Sequence, residues 1–414
     1  MSVEVHVDWQ GQTQLVGRLF EAPHSDAVTF AYADTWLARP GTFAIDPTSL
    51  PLRAGPHHGA LLFGALRDCG PDRWGRLLIE RAVRKQILER KPYQHLDYVL
   101  ALDDVARIGA LRLRADPAGP FLAASQGKLP PLIELAALLQ ATDAVHDESE
   151  SAADLRFLMG AGSPLGGARP KSAVRLADGA LAIAKFPAPD DIRDIAAGEV
   201  LALALARAAG ISVAEHRLVS VEGRSVSVIT RFDRSGNRRI PFVSANSLLG
   251  LSRDDPGAYD RLADGIRQLG DQVTGDLREL WRRLVFSLLA SNYDDHLRNH
   301  GFLMHRPGRW SLSPAYDINP VPEIDRPRTT KTPIRQAGGE ASVGVALETA
   351  GQFGLKLTDA KTIVHEVHST VLRWREMGRK LRIKASTLDA YASAFENPAM
   401  EEARKLSHGP SRPT

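Results

Sequence analysis

The segment with the sharpest chemistry is Ser291-Asn-Tyr-Asp-Asp-His-Leu-Arg-Asn299, which directly follows a stretch with helical spacing of apolar residues. Transfer of a phosphoryl group to a hydroxyl requires a carboxylate that accepts the hydroxyl proton, and oxygen ligands that hold Mg²⁺ against the phosphates. Asp294 and Asn299 are five residues apart, as are the proton acceptor and the metal-binding Asn of protein-kinase catalytic loops. We therefore predict that Asp294 accepts the proton and that Asn299 binds Mg²⁺.

A second acid ends the stretch Ser313-Pro-Ala-Tyr-Asp317, eighteen residues after Asn299. The apolar runs GFLMH and RWSLS lie between the two sites and predict a hairpin. Asp317 would then be the second Mg²⁺ ligand, which is the part of the metal-binding aspartate that follows the catalytic loop in kinases.

Other interpretations of the same segment stay open. Asp, His and Asn residues after a helix are common as caps and turn formers. His296 and His300, four residues apart, could bind zinc with Asp295, but the Glu of the H-E-x-x-H motif and a third strong ligand are missing. Asp295 could also replace Asp294 as the base, although the five-residue spacing favours Asp294.

A glycine-rich segment, Gly160-Ala-Gly-Ser-Pro-Leu-Gly-Gly-Ala-Arg-Pro-Lys-Ser172, could hold phosphates. Glycines let the backbone approach phosphates closely and turn its N–H groups toward them. The segment does not match the Walker A pattern G-x-x-x-x-G-K-[ST]. Taken alone, it indicates a flexible turn as often as a phosphate cradle.

Two further residues complete an ordered set. Lys185 ends the apolar run ALAIAK, thirteen residues after the glycine-rich turn, and a predicted helix over 195–209 contains Glu199. In protein kinases a strand Lys pairs with the phosphates and with a helix Glu. Each piece is weak alone, but the order of glycine-rich turn, strand Lys, helix Glu, base, Asn and Asp is that of a kinase.

The elements around these residues suggest an α+β protein with several parts. We predict an N-terminal α+β subdomain over 1–150, a small β-rich lobe over 151–245 that begins with a strand near 155, a helical lobe over 246–405 and a frayed tail over 406–414. A buried helix is indicated by Leu277, Leu280, Trp281, Leu284, Val285 and Leu288, whose apolar spacing is helical. Two more helices are expected at 358–377 and 386–396, whereas the acidic stretch AVHDESESAAD at 144–154 is expected to be exposed.

Composition limits the class of protein. The 414 residues are 43% hydrophobic and 24% charged, with a net charge of +3 and one cysteine, Cys69, so an intrachain disulfide and a Cys-rich zinc site are excluded. We see neither a secretory signal nor an apolar run long enough for a membrane span, and expect a cytoplasmic protein without a membrane partner. A basic cluster between Arg373 and Lys384 is interpreted as a solvated helix face rather than a nucleic-acid patch.

With these motifs in place, the sequence resembles the HipA family of type II toxin–antitoxin kinases. The resemblance lies in GSPLGGARPKSAV (162–174), AIAKFP (182–187), TRFDR (230–234), NYDDHLRN (292–299) and AYDINP (315–320), and also in DRWGRLL and RIGALRLR near the N-terminus. It extends over nearly the whole chain. It implies a two-lobed, protein-kinase-like C-terminal domain with a helical large lobe, and an N-terminal α+β subdomain packed on the small lobe.

The resemblance also implies roles for residues. Asp294 would be the catalytic base, Asn299 and Asp317 would hold Mg²⁺, and Ser163 would be the site of autophosphorylation. Lys185 would contact the α- and β-phosphates, oriented by Glu199. ATP would be bound by Gly166, Gly167, Ala168, Arg169, Lys171, Lys185, Thr230, Arg231, Phe232, His296, Asn299, Tyr316 and Asp317, with the backbone of Thr230 and Phe232 at the adenine. The best-known member has an acidic residue where Thr230 stands, and the loop between Ser163 and Lys171 is one residue longer here.

What the family does gives the functional expectation. A HipA-type kinase inhibits translation by phosphorylating an aminoacyl-tRNA synthetase, typically glutamyl-tRNA synthetase, and so produces growth arrest and persistence. It is neutralised by a HipB-like helix-turn-helix antitoxin, and the pair binds operator DNA mainly through that antitoxin. Two alternatives remain at this point: a catalytically silent co-repressor that works with an antitoxin, and a small-molecule or lipid kinase of similar layout.

Overall fold

The structure, a computed structural model, describes residues 2–22, 25–115, 119–122, 129–161, 167, 169–252, 255–322, 330–338 and 340–407. The chain divides into two compact units. The first unit comprises Met1–Asp190, Val219–Gly250 and Phe302–Arg309, and the second comprises Asp191–Leu218, Leu251–Gly301 and Trp310–Thr414. The predicted boundaries near 150, 245 and 405 stay a prediction.

Strands and helices are mixed in the chain before residue 190. In order, the elements are β1 Ser2–Trp9, β2 Gln12–Glu21, β3 Val28–Tyr32, α1 Asp34–Leu37, β4 Pro56–Gly59, α2 Gly64–Asp68, α3 Arg73–Arg84, α4 His95–Leu100, β5 Leu111–Arg114, a 3₁₀ turn Leu132–Glu134, α5 Leu135–His146, α6 Ala152–Ala161, β6 Lys171–Arg175 and β7 Leu181–Lys185.

Helices dominate the remainder. They and the later strands are α7 Ile195–Ala208, β8 His216–Val221, β9 Arg224–Thr230, β10 Arg234–Ser235, β11 Arg238–Arg239, β12 Phe242–Ser244, α8 Ala245–Leu248, α9 Tyr259–Leu269, α10 Val273–Leu289, a 3₁₀ turn Leu297–Asn299, β13 Gly301–Arg306, β14 Arg309–Leu312, α11 Val343–Thr349, a 3₁₀ turn Ala350–Phe353, α12 Leu357–Val371, α13 Trp374–Lys380, α14 Ala385–Ala390, α15 Ala392–Phe395 and α16 Pro398–Ser407.

The two largest sheets are formed by the strands β1 to β9. The N-terminal sheet has the order β4-β3-β2-β1-β5 and opens with the β1–β2 hairpin, whose turn residues Gln10 and Gly11 both have positive φ. Such a turn matches the twist of the paired strands. The second sheet places β7 between β6 and β9, with β8 at the edge, so that Lys171 faces Lys185 in the register.

The strand predicted near 155 is wrong. Residues Ala152–Ala161 form the helix α6, in which Leu155, Leu158 and Met159 are buried at the i, i+3 and i+4 spacing of one helical face. They join a core with residues of α3, α5 and the second sheet. The apolar run was too short for its period to distinguish a strand from a helix.

The acidic stretch at 144–154 is also less exposed than predicted. Val145 belongs to the same core, and Glu150 is buried with its carboxylate 3.8 Å from Arg81 and 3.9 Å from Lys85. Charge composition alone did not predict that Arg81 of α3 and Lys85, the residue after the helix, would lie beside this buried acid.

The second unit is built around α10. All six residues of its predicted apolar stripe are buried, and Trp281 donates its indole N–H to the carbonyl of Ala346, 3.2 Å away. The helix predicted over 195–209 is confirmed as α7 and is followed by Gly210 at φ +81°, the backbone conformation that favours glycine after a helix.

The C-terminal helices are shorter and more numerous than predicted. The helix expected at 358–377 breaks before Trp374, whose ring stacks on Phe395. The helix expected at 386–396 breaks at Tyr391, whose hydroxyl donates to the carbonyl of Asp194 at 3.0 Å. A Cβ on Gly198 would lie 2.2 Å from that hydroxyl, so α7 requires glycine there.

The predicted tail and the basic cluster have the following outcomes. Residues up to Ser407 belong to α16, and 408–414 lie outside the described residues. Arg375 pairs with Asp389 and Glu396, and Lys380 pairs with Glu376. These partners favour the interpretation as a solvated, ion-paired helix face.

No helix among the described residues has the length and apolar character needed to cross a membrane.

Candidate active site

The loop 291–299 begins where α10 ends, and several contacts fix its start. Ser291 has φ +50°, a left-handed conformation that turns the chain sharply away from the helix. The side-chain amide of Asn397 donates to the carbonyl of Leu289 at 2.8 Å and to the hydroxyl of Ser291 at 3.1 Å. The backbone N–H of Asn292 returns to the carbonyl of Ser287 at 2.9 Å. The loop therefore starts in a defined place.

Asp294, the predicted base, remains accessible. Its side chain is 42% exposed, and Lys331 Nζ lies 2.5 Å from Asp294 Oδ1. The side-chain amide of Asn299 faces the carbonyl of Asp294 at 3.5 Å. A carboxylate that is nearly half exposed can receive a proton from a hydroxyl that approaches from solvent.

Asp295, the alternative base, lies in a different environment. Its buried carboxylate accepts hydrogen bonds from the hydroxyls of Tyr259 and Ser287, and His300 Nε2 lies 3.0 Å from Asp295 Oδ1. Burial opposes the charge, but the charge and the hydrogen bond of His300, together with the hydrogen bond from Tyr259, lower the pKa of Asp295. Because these partners occupy its oxygens, Asp295 is suited to fixing the loop, and the arrangement favours Asp294 as the proton acceptor.

Asn299 has the properties of a metal ligand. It ends the 3₁₀ turn Leu297–Asn299, and its buried Oδ1 has no hydrogen-bond partner among the residues that the structure describes. A buried amide oxygen without a donor is costly. A bound cation would satisfy it.

Asp317 is attached to the loop 291–299 on both sides. Tyr316 donates its hydroxyl to the carbonyl of Arg298 at 2.8 Å, and the backbone N–H of Asn319 donates to Asn292 Oδ1 at 3.1 Å. Asn319 also donates its side-chain amide to Asp317 Oδ1 at 3.1 Å. Asp317 itself has φ +56°, a conformation that costs energy outside glycine and often marks functional sites.

The pKa of His296 shows that Asp294 and Asp317 both lie near its imidazole ring. Burial and the charge of Arg298 lower the pKa of His296, while the carboxylates of Asp317 and Asp294 oppose that shift. Both acids therefore lie within electrostatic reach of one imidazole. The second unit thus brings Asp294, His296, Asn299, Tyr316 and Asp317 together. Asn299 and Tyr316 also line a small cleft.

The chemistry of these ligands fits Mg²⁺. Asn299 and Asp317 offer hard oxygen donors, and Mg²⁺ in nucleotide sites is held by one or two such side chains together with phosphates and waters. Within the described ranges, no group of three or more His, Cys, Asp or Glu side chains is arranged to hold a metal ion. A site completed by a nucleotide does not need such a group.

The basic residues predicted to bind ATP lie in the first unit. Lys185 ends β7. Lys171 is buried, with Nζ 2.5 Å from Asp72 Oδ2. Gly167 has φ +115°, and a Cβ there would lie 3.1 Å from Lys171 Nζ. Ser163, Gly166 and Ala168 lie outside the described residues. The roles of all these residues, and of Arg169, stay predictions.

The predicted adenine-binding segment follows β9. Thr230 pairs with Ala182, and the N–H of Arg231 donates to the carbonyl of Leu181 at 2.8 Å. The buried guanidinium of Arg231 binds Asp233 and the carbonyls of Ala106 and Arg107.

These contacts limit what the segment could offer a nucleotide. Phe232 packs on a core of Ile108, Phe242 and Leu303. Arg231 already uses its guanidinium and its N–H within the first unit.

Glu199 is buried in α7, in the second unit, whereas Lys185 belongs to the first. Their pairing stays a prediction.

Some residues at these sites were missed by sequence reasoning. Lys331 stands in a Pro- and Arg-rich segment without a motif, so no local pattern pointed to it. Tyr259 and Asn319 act on the loop from distant positions in the sequence. Asp72 carried a usable signal, because an Asp directly before a helix is a favoured N-cap, and it does accept from the N–H of Gly75 at 2.8 Å.

Comparison with known protein families agrees with this architecture. Residues 163–374 match the HipA-like C-terminal domain, and residues 6–113 match the HipA N-terminal domain. Together these matches cover most of the chain, and the first alone covers half of it. The chain therefore belongs to the HipA family.

Individual relatives are more distant. The chain is 28% identical to the Sinorhizobium fredii protein Y4mE, provisionally named a kinase, over 77% of each chain. It is 26% identical to a Haemophilus influenzae protein that is likewise provisionally named a kinase. That match covers 42% of this chain, which spans about half the length of the relative (55%).

A solved structure shares the fold. The HipA chain of the Shewanella oneidensis complex of HipA, HipB and operator DNA superposes with a TM-score of 0.70 at 16% identity, covering 97% of this chain and 96% of that one. This likeness confirms the predicted fold, a kinase-like C-terminal domain preceded by an α+β N-terminal domain.

Proposed function

We propose that this HipA-family protein is an ATP- and Mg²⁺-dependent protein serine/threonine kinase. The observation that carries the proposal is the cluster of Asp294, Asn299 and Asp317 around His296 within one unit of the fold. In phosphoryl transfer the protein contributes chiefly positioning and electrostatic stabilisation. An accessible carboxylate beside two oxygen ligands is the minimal set for that task.

Each residue has a role in the proposed reaction. Asp294 accepts the proton of the acceptor hydroxyl as that oxygen attacks the γ-phosphoryl group. Asn299 and Asp317 would hold Mg²⁺, which when bound neutralises charge on the phosphates. Asp295 keeps the loop in place through its buried hydrogen bonds to Tyr259 and Ser287.

Nucleotide binding and self-regulation are assigned by family resemblance. Lys185 and the glycine-rich segment would embrace the phosphates, and the backbone near Thr230 would receive the adenine. Autophosphorylation at Ser163 would switch the enzyme off, because a phosphate adds about −1.5 to −2 charges to a segment that must surround the phosphates of ATP.

The biological role is that of a toxin. The complex of a structural neighbour with HipB and operator DNA supports a HipB-like antitoxin as partner, with DNA bound mainly through it. The protein substrate we propose is an aminoacyl-tRNA synthetase, whose phosphorylation would stop translation.

The test uses the purified full-length chain with γ-labelled ATP, Mg²⁺ and a panel of aminoacyl-tRNA synthetases. We expect label on the chain at Ser163 and on one synthetase, both requiring Mg²⁺. Label on neither protein, together with an absence of Mg²⁺-dependent ATP binding, would contradict the proposal. Transfer only to a small molecule would assign the site to a different class of kinase.

A further inference from the structure

The segment 330–338 lies directly against the loop that carries Asp294. The N–H of Lys331 donates to the carbonyl of Tyr293 at 3.3 Å, and the N–H of Thr332 donates to the carbonyl of Asp295 at 3.1 Å. These two bonds flank Asp294. The side chain of Lys331 is thereby presented to the carboxylate of the predicted base.

The opposite edge of the segment is fixed as well. The N–H groups of Tyr259 and Asp260 donate to the carbonyls of Pro333 and Ile334, at 3.0 and 3.2 Å. Thr332 and Ile334 are buried, at 2% and 4% exposure. Because backbone hydrogen bonds and buried neighbours hold the segment, its position does not depend on the charge of Lys331.

The ion pair between Lys331 and Asp294 contributes little to folding. Both side chains are about half exposed, at 50% and 42%, and exposed ion pairs of this kind add little to the stability of a fold. The contact is nevertheless short, at 2.5 Å from Nζ to Oδ1. At the predicted base, a short contact of this kind is better explained by the orientation it gives the carboxylate than by a contribution to the stability of the fold.

We propose that Lys331 is a positioning residue for phosphoryl transfer, holding the carboxylate of Asp294 where it can accept the proton of the acceptor hydroxyl; this rests on the proposed kinase function. In the step, the acceptor oxygen forms a bond to the γ-phosphorus and the bond from that phosphorus to the β,γ-bridging oxygen breaks. The bonding electrons leave with ADP, and the hydroxyl proton passes to the carboxylate of Asp294. Lys331 exchanges no proton.

The lysine charge also has an electrostatic use. A carboxylate next to a triphosphate is repelled by it, because like charges a few ångströms apart repel each other appreciably even at a protein surface. An ammonium group on the carboxylate offsets that repulsion. Without Lys331 we expect Asp294 to turn away from the phosphate, which lowers the rate of transfer more than the affinity for ATP.

The experiment compares Lys331→Ala, Lys331→Arg and the control Lys380→Ala in the full chain, with transfer from ATP·Mg²⁺ as the readout. Lys380 also pairs with a carboxylate, that of Glu376, on the surface of α13. We expect Lys331→Ala to lower kcat by about 10- to 100-fold, the cost of a misplaced catalytic group, with KM for ATP within about 2-fold. Lys331→Arg should recover most of the rate, and Lys380→Ala should match the wild type.

Added methylammonium should raise the rate of Lys331→Ala several-fold and leave Asp294→Ala inactive, since it replaces only the missing cation. An unchanged kcat in Lys331→Ala overturns the inference, and so does a change confined to KM, which would make Lys331 a nucleotide ligand. A wild-type chain that transfers no phosphate overturns the proposed function itself. Equal thermal midpoints of the variants exclude unfolding as the cause.

Discussion

Lys171 Nζ lies 2.5 Å from Asp72 Oδ2, and both side chains are almost completely buried, at 1% and 3% exposure. Asp72 also caps α3 by accepting from the N–H of Gly75. One carboxylate therefore joins the start of α3 to the first residue of β6, where the glycine-rich segment ends. This interaction links the N-terminal part of the first unit to the strand that follows the predicted phosphate-binding turn.

We predict that Asp72→Ala is strongly destabilising. Removing one partner of a buried pair leaves an uncompensated charge, which costs about 3–5 kcal/mol, and the lost cap adds about 1 kcal/mol. Urea unfolding of the two-unit chain, followed by a probe in the first unit, measures the effect. The double variant Asp72→Ala/Lys171→Met should be more stable than Asp72→Ala, because the buried ammonium that lost this carboxylate is removed as well. A loss below about 1 kcal/mol in Asp72→Ala would contradict this account.

The buried acid Asp233 provides a second test in the same unit. Burial opposes its charge, but the guanidinium groups of Arg231 and Arg234 prevail and lower the pKa of Asp233. A lowered pKa means that the ionised form stabilises the fold above the unfolded pKa, with the benefit lost as pH falls through the folded value.

Asp233→Asn should therefore destabilise the chain by about 3–5 kcal/mol at neutral pH, since two buried guanidinium groups lose their anion. The difference in the free energy of unfolding between Asp233→Asn and the wild type should become smaller in acid. Chemical denaturation at neutral and acidic pH measures it, and an equal difference at both would show that the charge is not responsible.

Asp276 is expected to show the opposite dependence on pH. Burial raises its pKa from 3.8 to about 6, although the N–H of Leu312 donates to its carboxylate at 3.2 Å. The unfolded chain ionises first, so this group costs stability as pH rises from about 4 to about 6.

Asp276→Asn retains an acceptor oxygen and cannot ionise. We expect it to gain about 1–2 kcal/mol at pH 7.5 and almost nothing at pH 4, after allowing for solvent screening of a partly exposed group. Unfolding midpoints of the wild type and the variant at the two pH values test this. If Asp276→Asn gained the same stability at both pH values, the titration of Asp276 could not be the source of the gain.

The sequence predicted features whose residues are close together along the chain better than contacts between residues that are far apart. The apolar stripe of α10 and the spacing of Asp294 and Asn299 are local patterns, and they identified the central helix and the loop that follows it. The helix α6 was predicted as a strand, because Leu155, Leu158 and Met159 fit either element in a run that short.

Contacts between distant residues were beyond such patterns. Lys331 and Asp294 are separated by a hairpin and by Asp317, and the partner of Lys171 lies ninety-nine residues earlier in the chain. Nothing in the local sequence distinguishes a lysine that will bind a phosphate from one that will be buried against an aspartate. These pairings are set by the topology of the chain.

The most direct test of the central claim compares two variants that keep the shape of the site. Asp294→Asn should bind ATP in the presence of Mg²⁺ nearly as well as the wild type but transfer no measurable phosphate, because only proton acceptance is lost. Asp317→Asn should lose the Mg²⁺ dependence of nucleotide binding. Single-turnover transfer, measured beside nucleotide binding in the same preparations, gives both quantities. If Asp294→Asn transfers phosphate at the wild-type rate, Asp294 is not the base and the account is wrong.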